Sequence, residues 1–492
     1  MSRAALVLMA LTMALSACRV HDARINPPPP LEVPETYRHP AGDAPASVRW
    51  WEDFEDESLN ATIDQALSGN MDLRAAWARL AQAAAIARQQ ASAMMPQVEA
   101  GMGVARQRIH TQQLDTSSID ASGGLDDLSI QTKSVAREVD NFQVNVSVGW
   151  EIDLWGRVAS LEDASLKDRL AGREDLSAIA VVVAAQVAET WFMLAEQDQL
   201  AALLERQLAT NRALLELVEL RFTQGLAHAV DVRQQRQQLS AVEAEVPLVK
   251  ARKEVLRSQL AVLVGVPPQR DLPLPSGPLM SPPPVPDTGL PLDILVQRPD
   301  VRAARLRVTA ADHRVGAAIA DQLPALRFSG GTGFADAAID VLFMRWIYNL
   351  AANLIAPLFD GGRRSAEVDR AQAVVEERLY GFGQVVLRAL KEVDDALALE
   401  ARQVEHLEAL SRSVAQARET LSDVRGRYAS GLTDYLPVLS AVKTLQAAER
   451  REVSGLRQRL SYRVQLHRAL GGAWARQLPR PPAPDSVQVE EP

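Results

Sequence analysis

From Leu407 onward, apolar or small residues recur at Leu410, Val414, Ala417, Leu421, Val424 and Tyr428, in alternating steps of three and four. That is the spacing of a coiled-coil seam. The seam runs into Arg427-Tyr428-Ala429-Ser430-Gly431-Leu432-Thr433-Asp434, where Gly431 can take the left-handed conformation that ends a helix and Thr433 or Asp434 can cap the next one. A second seam, at Leu204, Leu208, Asn211, Leu215, Val218 and Phe222, runs into Arg221-Phe222-Thr223-Gln224-Gly225-Leu226, earlier by 206 positions (431 − 225). The register extends outward without insertion, pairing Gly265 with Gly471, Val187 with Val393, and Gly156-Arg157 with Gly362-Arg363. The chain is a duplicated long-helix unit with hairpin tips at Gly225 and Gly431.

Upstream, Ser58 to Met95 carries a helical, Ala-rich pattern that stops at Pro96. Its counterpart begins at Arg298-Pro299-Asp300-Val301, displaced by 228 positions (300 − 72), so the first half holds an insertion of 22 residues (228 − 206). Around that insertion the period changes from helical to two. Val98, Ala100, Met102 and Val104 alternate with polar or small residues, and Phe142, Val144, Val146, Val148, Trp150, Ile152 and Leu154 do so over a longer run. In the second half Leu326 and Phe328 lead into Gly330-Gly331-Thr332-Gly333, and Trp346 to Leu358 alternates again. The spacing predicts two strands per repeat, about 97–108 and 141–155, then 325–334 and 344–359, each near the ~10 residues that cross a bilayer at a tilt. The polar stretch from Thr111 to Glu138 reads as an exposed loop, and its shorter partner as Ala335 to Leu342. Four strands cannot close a barrel, which needs about eight or more, because an open edge in lipid leaves backbone groups unpaired.

Residues 1–17 read as a secretory signal: Ser2-Arg3 supplies the charge, Ala4 to Ala14 the short apolar core, and Leu15-Ser16-Ala17-Cys18 the cleavage region. Residues 18–49 are a tether, extended by Pro27 to Pro30. The first repeat occupies 50–265 and opens on Trp50-Trp51, which reads as a packed anchor. A linker at 266–298 carries prolines at a density that no packed helix survives. The second repeat is 299–478, and 479–492 is a Pro-rich, disordered tail. Pro247, inside a returning helix, is expected to bend it.

Composition narrows the function by exclusion. A net charge of −9 argues against a nucleic-acid surface. With one cysteine in the chain there is no internal disulfide, and burial or oligomerisation must hold the fold. None of the seven histidines falls at metal-ligand spacing. Gly330-Gly331-Thr332-Gly333 lacks the Lys-Ser/Thr of a phosphate loop, and the acid pairs Asp394-Asp395 and Glu376-Glu377 read as solvated helix faces. No enzyme, cofactor or metal site is expected.

The order of elements resembles the TolC-type outer-membrane efflux proteins, most closely the NodT/OprM-like lipoprotein branch that serves RND pumps. The residues that carry the resemblance are Leu15 to Cys18, Gly149 to Arg157, Gln297 to Val301, Leu358 to Arg364, Arg427-Tyr428 with Gly431-Leu432, and Ala469 to Trp474. It implies a mainly α fold with a transmembrane β part: a homotrimer with a 12-stranded barrel continued by a 12-helix barrel. It further implies lipidation of Cys18 after cleavage, retention in the outer membrane of a Gram-negative bacterium, and extension into the periplasm. The partners it implies are outer-membrane lipid, a periplasmic membrane-fusion adaptor and an inner-membrane RND-type pump. The cargo it implies is drugs or small toxic solutes. Related alternatives are the duct of a type I polypeptide exporter and a non-conducting envelope scaffold. At the periplasmic tip the resemblance points to Tyr428 and Asp231 as a closing pair, with Leu436 facing the constriction. Seam packing is the alternative for Tyr428, the helix dipole for Asp231, and hairpin packing for Leu436. The acids that form a ring in some relatives fall at Pro437 and Ser440 here.

Overall fold

A computed structural model describes residues 20–40, 42–44, 47–114, 132–275 and 277–481. The signal segment, Cys18 and the tail beyond 481 lie outside the described residues. The duplication is visible in the element lengths. Helices α1 (Glu57–Gly69) and α2 (Met71–Ser92) lead into strands β1 (Gln97–Leu114) and β2 (Thr132–Ile152), followed by α3 (Arg157–Thr223) and α4 (Ala229–Val264). The second half repeats this as α5 (Pro299–Ala320), β3 (Ala325–Asp336), β4 (Trp346–Ile355), α6 (Arg363–Ala429) and α7 (Tyr435–Leu470). Helices α2 and α5 both have 22 residues, α3 and α6 both 67, and α4 and α7 both 36.

The chain divides into two compact units that cut across the duplication. One comprises residues 1–25, 85–166 and 309–375; the other comprises 26–84, 167–308 and 376–492. Each draws on both repeats.

The first unit is built on a single antiparallel sheet in the order β1-β2-β3-β4. Two expectations are corrected here. Residues 111–114 and 132–138, read as loop, belong to the β1–β2 ladder, with Thr111 opposite Val135 and Arg108 opposite Glu138. Backbone pairing carries the hairpin beyond the point where apolar alternation ends, because polar side chains cost nothing in a ladder whose faces meet water. Residues 153–155 and 356–359 leave the strands, which end at Ile152 and Ile355. The N-terminal residues of this unit do not hang free: the His21 ring lies 3.1 Å from Asp312 on α5, and the Arg24 N–H donates to the other oxygen of the same carboxylate at 2.5 Å.

The second unit holds the main core. Trp50, Trp51, Phe54, Leu59 and Ile63 pack against Val187, Trp191 and Phe192 of α3 and Leu460 and Val464 of α7. Trp51 meets Trp474 edge to face at 4.8 Å. The helical pattern from Ser58 to Met95 forms two helices, divided at Asn70. Its side chain accepts from the N–H groups of Asp72 and Leu73 at 2.9 and 3.1 Å, starting α2, and donates to the Leu263 carbonyl at 2.8 Å. Two glycines make the approach possible: a Cβ on Gly69 would stand 2.4 Å from the Val264 carbonyl oxygen, and Gly265 closes α4 at φ +84°. Helix α4 is continuous through Pro247.

The proline-rich linker is pinned; it is not extended throughout as expected, because its last residues form a 3-10 turn at Pro291–Asp293 and a short helix at Ile294–Gln297. Arg463, fully buried, pairs with buried Glu400 on α6 (Nε to Oε2 3.0 Å) and donates to the Pro283 carbonyl and, at 2.7 Å, to that of Pro284. The tether lies along the linker, with Ala44 bridging Pro286 and the Asp287 N–H donating to the Ala44 carbonyl at 2.7 Å. A buried charge that loses its partner is costly. Arg463→Met is therefore expected to destabilise the protein by about 3–5 kcal/mol, read as a lower urea midpoint, and adding Glu400→Leu should restore most of it. A double variant no more stable than the single one contradicts this.

His467 is stacked on Trp50, with centroids 5.2 Å apart. Burial, aided by the Arg463 charge, pushes its pKa down from 6.5 to about 3. The folded imidazole is neutral, whereas the unfolded one takes a proton near pH ~6.5. The unfolded state thus binds more protons as pH falls, so the stabilisation is complete above that value and lost toward pH 3, at up to about 1.4 kcal/mol per pH unit. A midpoint of unfolding that declines between about pH 6.5 and 4, with a shallower decline in His467→Leu, is the expected outcome of a thermal series.

Candidate functional site: a two-faced sheet and a helical tip

The sheet of the first unit has two chemically distinct faces. Cross-strand register places Val98, Val148, Gly330 and Leu350 in one row, Trp150, Phe328 and Ala352 in the next, and Met102 beside Val144 and Phe334. This face is apolar, and in a single copy much of it is bare: Met102 is 82% exposed, Leu350 83% and Tyr348 70%. A continuous apolar surface over four strands is far larger than a soluble monomer tolerates. The opposite face carries Asn141, Gln143, Asn145 and Ser147 of β2, Ser329 of β3, and Asn349 and Asn353 of β4. Glycines opposite the asparagines make room for them, since a Cβ on Gly331 would stand 2.8 Å from Asn349 Oδ1.

The apolar band has ends. Phe334 and Trp346 share a row with Val144, Phe142 stands opposite Asp336 in the next row out, and in the row beyond that, on the same face, Arg106 pairs with Asp140 at 2.6 and 2.9 Å. At the other end the polar face holds Glu151 between Arg157, at 2.7 Å, and Arg327, at 3.3 Å. From Phe142 to Ile152 a strand rises about 34 Å, which at a tilt of ~45° spans roughly 25 Å, the height of the lipid-facing band of a transmembrane barrel. No strand pairs with the outer edge of β1 or β4 among the described residues.

In the second unit, the hairpin turns are near copies. Gly225 and Gly431 both have φ +74°. Leu226 N–H donates to the Arg221 carbonyl at 2.8 Å, and Leu432 N–H to that of Arg427 at 2.9 Å. The following helices start differently. Asp231 accepts from the His228 N–H at 2.9 Å, closing a cap, while Asp434 occupies the cap position without a side-chain bond.

Of the residues the sequence singled out at the tip, the structure brings Tyr428 and Asp231 into electrostatic range but not into a hydrogen bond. The Tyr428 hydroxyl is buried without a partner, and the Asp231 carboxylate serves its own helix. Burial holds the Tyr428 phenol above its usual pKa, Arg221 opposes the shift, and the Asp231 charge adds to it. The Arg221 guanidinium lies over the Tyr428 ring at 4.5 Å and donates to the Tyr428 carbonyl at 2.8 Å. Leu436 is exposed. Tyr435, passed over in the sequence, is buried with its ring 5.7 Å from that of Tyr428 and its hydroxyl bonded to Gln235. The available signal was that Tyr435 sits where the other repeat has Ala229.

The family model described as outer membrane efflux protein matches residues 62–266 and 290–472. The chain belongs to this family of outer-membrane channels. It is similar to the pyoverdine export outer membrane protein OpmQ of Pseudomonas aeruginosa, with 30% identity over 94% of this chain and 96% of that one. It is also similar to the toluene efflux pump outer membrane protein TtgF of Pseudomonas putida, with 29% identity over 95% and 96%. Among solved structures, the outer-membrane channel OprN superposes with a TM-score of 0.79 at 25% identity, covering 92% of this chain and all of that one. The protein is therefore an outer-membrane efflux component, and its two-faced sheet is the part that meets the bilayer.

The faces should differ in tolerance. Leu350→Arg, on the apolar face near mid-band, is expected to cost about 2–4 kcal/mol in urea unfolding from liposomes, while Asn349→Arg on the adjacent polar face should cost under about 1. Equal losses would mean that the faces are misassigned.

Proposed function

We propose that the protein is the exit duct of a tripartite efflux system, conducting drugs or small toxic solutes passively from an inner-membrane RND-type pump and a periplasmic adaptor to the outside. The observation that carries this reading is the four-stranded sheet with one bare apolar face, one amide-lined face and two edges that no strand pairs among the described residues. Three copies supply twelve strands, enough to pair every edge and enclose a polar bore. Relatives named for toluene efflux and pyoverdine export support a solute as cargo. Cys18, outside the described residues, carries the lipid anchor in this reading. The likeness of the neighbouring residue pattern to bacterial lipoproteins supports it, as does a relative described as a probable outer membrane lipoprotein, SilC of Salmonella typhimurium.

The duct closes at the tip in this account, with Tyr428 and Asp231 among the groups that hold it and Leu436 facing the opening. Single-channel recording of the purified protein in planar bilayers tests the duct and its gate together. Wild type should conduct in small steps, and replacing Asp231 by Asn with Tyr428 by Phe should enlarge the conductance severalfold. A protein that inserts but never conducts removes the duct; equal conductance in wild type and variant removes these two residues from the gate.

A further inference from the structure

Two crosslinks tie the second hairpin of each copy to the first, and they bracket its turn. On the α6 side, Arg221 of α3 donates to the carbonyls of Tyr428 and Ala429 at 2.8 and 3.3 Å. On the α7 side, the Tyr435 hydroxyl donates to Gln235 Oε1 of α4. Gln235 is held in turn, since its Nε2 donates to the Asn211 carbonyl of α3 at 2.7 Å. Asn211 Nδ2 donates to the Gln207 carbonyl at 2.7 Å, and Gln207 Nε2 reaches Gln446 O of α7 at 3.3 Å and Glu449 at 3.2 Å. Gln238 Nε2 donates to Gln446 Oε1 at 3.0 Å. The chain of amides touches α3, α4 and α7 and ends on the tyrosine that packs against Tyr428.

These groups lie where a helical seam is normally apolar. Gln235 and Asn211 have no exposed surface, and Tyr435 has 1%. None of the polar partners is repeated in the duplicated register: the counterpart of Tyr435 is Ala229, that of Gln235 is Ala441, and that of Asn211 is Ala417, each at an offset of 206. Alanine fills the buried seam at Ala417 and Ala441, so packing alone does not call for the amides, whereas Ala229 is exposed and only the second repeat buries a side chain at the Tyr435 position. Buried polar pairs of this kind add little net stability but fix one register, because any slip leaves a donor or acceptor bare.

We propose that Tyr435 and Gln235 form the latch that holds the second hairpin against the first and so positions Tyr428 at the closing tip. The inference rests on the reading of the protein as a duct gated at its tip. With the latch made, the Tyr435 ring backs the Tyr428 ring edge to face; with it broken, Arg221 remains as the polar tie at the turn among the described residues, beside the apolar packing of Val218 and Val232. Tyr435 and Gln235 are positioning residues, and no solute need touch them.

The test is a cycle of Tyr435→Phe, Gln235→Met and the double variant in the full-length protein, each measured by bilayer conductance and by thermal unfolding. Either single change should raise the mean conductance about five- to tenfold and lower the unfolding midpoint, since each strands a buried partner. The double variant should regain part of the midpoint, because the hydroxyl and the amide oxygen it met are both gone and only the Asn211 oxygens lose a donor, yet conduct as much as either single variant. Recovery of wild-type conductance along with stability would reduce the pair to core packing and overturn the latch, as would wild-type conductance in the singles or additive increases. If wild type and all variants insert without conducting, the duct reading fails and the latch with it.

Discussion

A β-strand in hydrocarbon must have both of its edges paired. Water is not there to satisfy an exposed N–H or C=O, and each unpaired group costs several kcal/mol. The described residues supply four strands with a continuous apolar face, and among them no strand pairs with the outer side of β1 or β4. Everything distinctive about the protein is consistent with that constraint being met by other copies of itself. The apolar rows stop at Phe334 and Trp346, then Phe142 one row out, followed by the Arg106–Asp140 pair, which sets the height of the band. The opposite face carries Asn and Gln side chains and is free of fixed charge over most of the length of β2. Residues that would be errors on a soluble surface, such as Met102 and Leu350, become the contact with lipid.

The helical unit answers a different demand. Helices of 67 residues are too long to be held by one globular core, and the seams of α3, α4, α6 and α7 distribute the burial along their length. Helix α3 has a stretch apolar enough to cross a membrane, but that stretch is mostly buried against Trp50, Phe54 and α7, which identifies it as core. Polar groups enter this core at two levels. Arg463 and Glu400 secure the linker, and the Asn211–Gln235–Tyr435 chain joins the hairpins near their turns. In each case the buried polar contact specifies an arrangement that apolar packing would leave free to slide.

Much of this was legible in the residues because duplication and periodicity are written in spacing. The offset between Gly225 and Gly431 is the same as that between the starts and ends of the long helices, and the period-two run from Phe142 to Ile152 is the apolar face of β2. What escaped depends on partners distant in sequence. Asn70 breaks a helix that propensity would continue, because its amide finds the Leu263 carbonyl and α4 ends on Gly265 beside it. The strands run on through polar residues at 111–114 and 132–138 because backbone pairing does not require apolar side chains. Tyr428 is marked by its place in a seam, whereas the tyrosine that bonds across the hairpins is Tyr435, whose acceptor lies 200 positions away. The tether looked slack by composition, yet Asp312 accepts from both His21 and Arg24.

The central claim is that a single copy cannot seal its own edges in the bilayer. Native mass spectrometry of the protein extracted from outer membranes in mild detergent measures this most directly. The account predicts a particle of three chains with no lower species until the detergent is made denaturing. A folded, stable single chain under those conditions would contradict it.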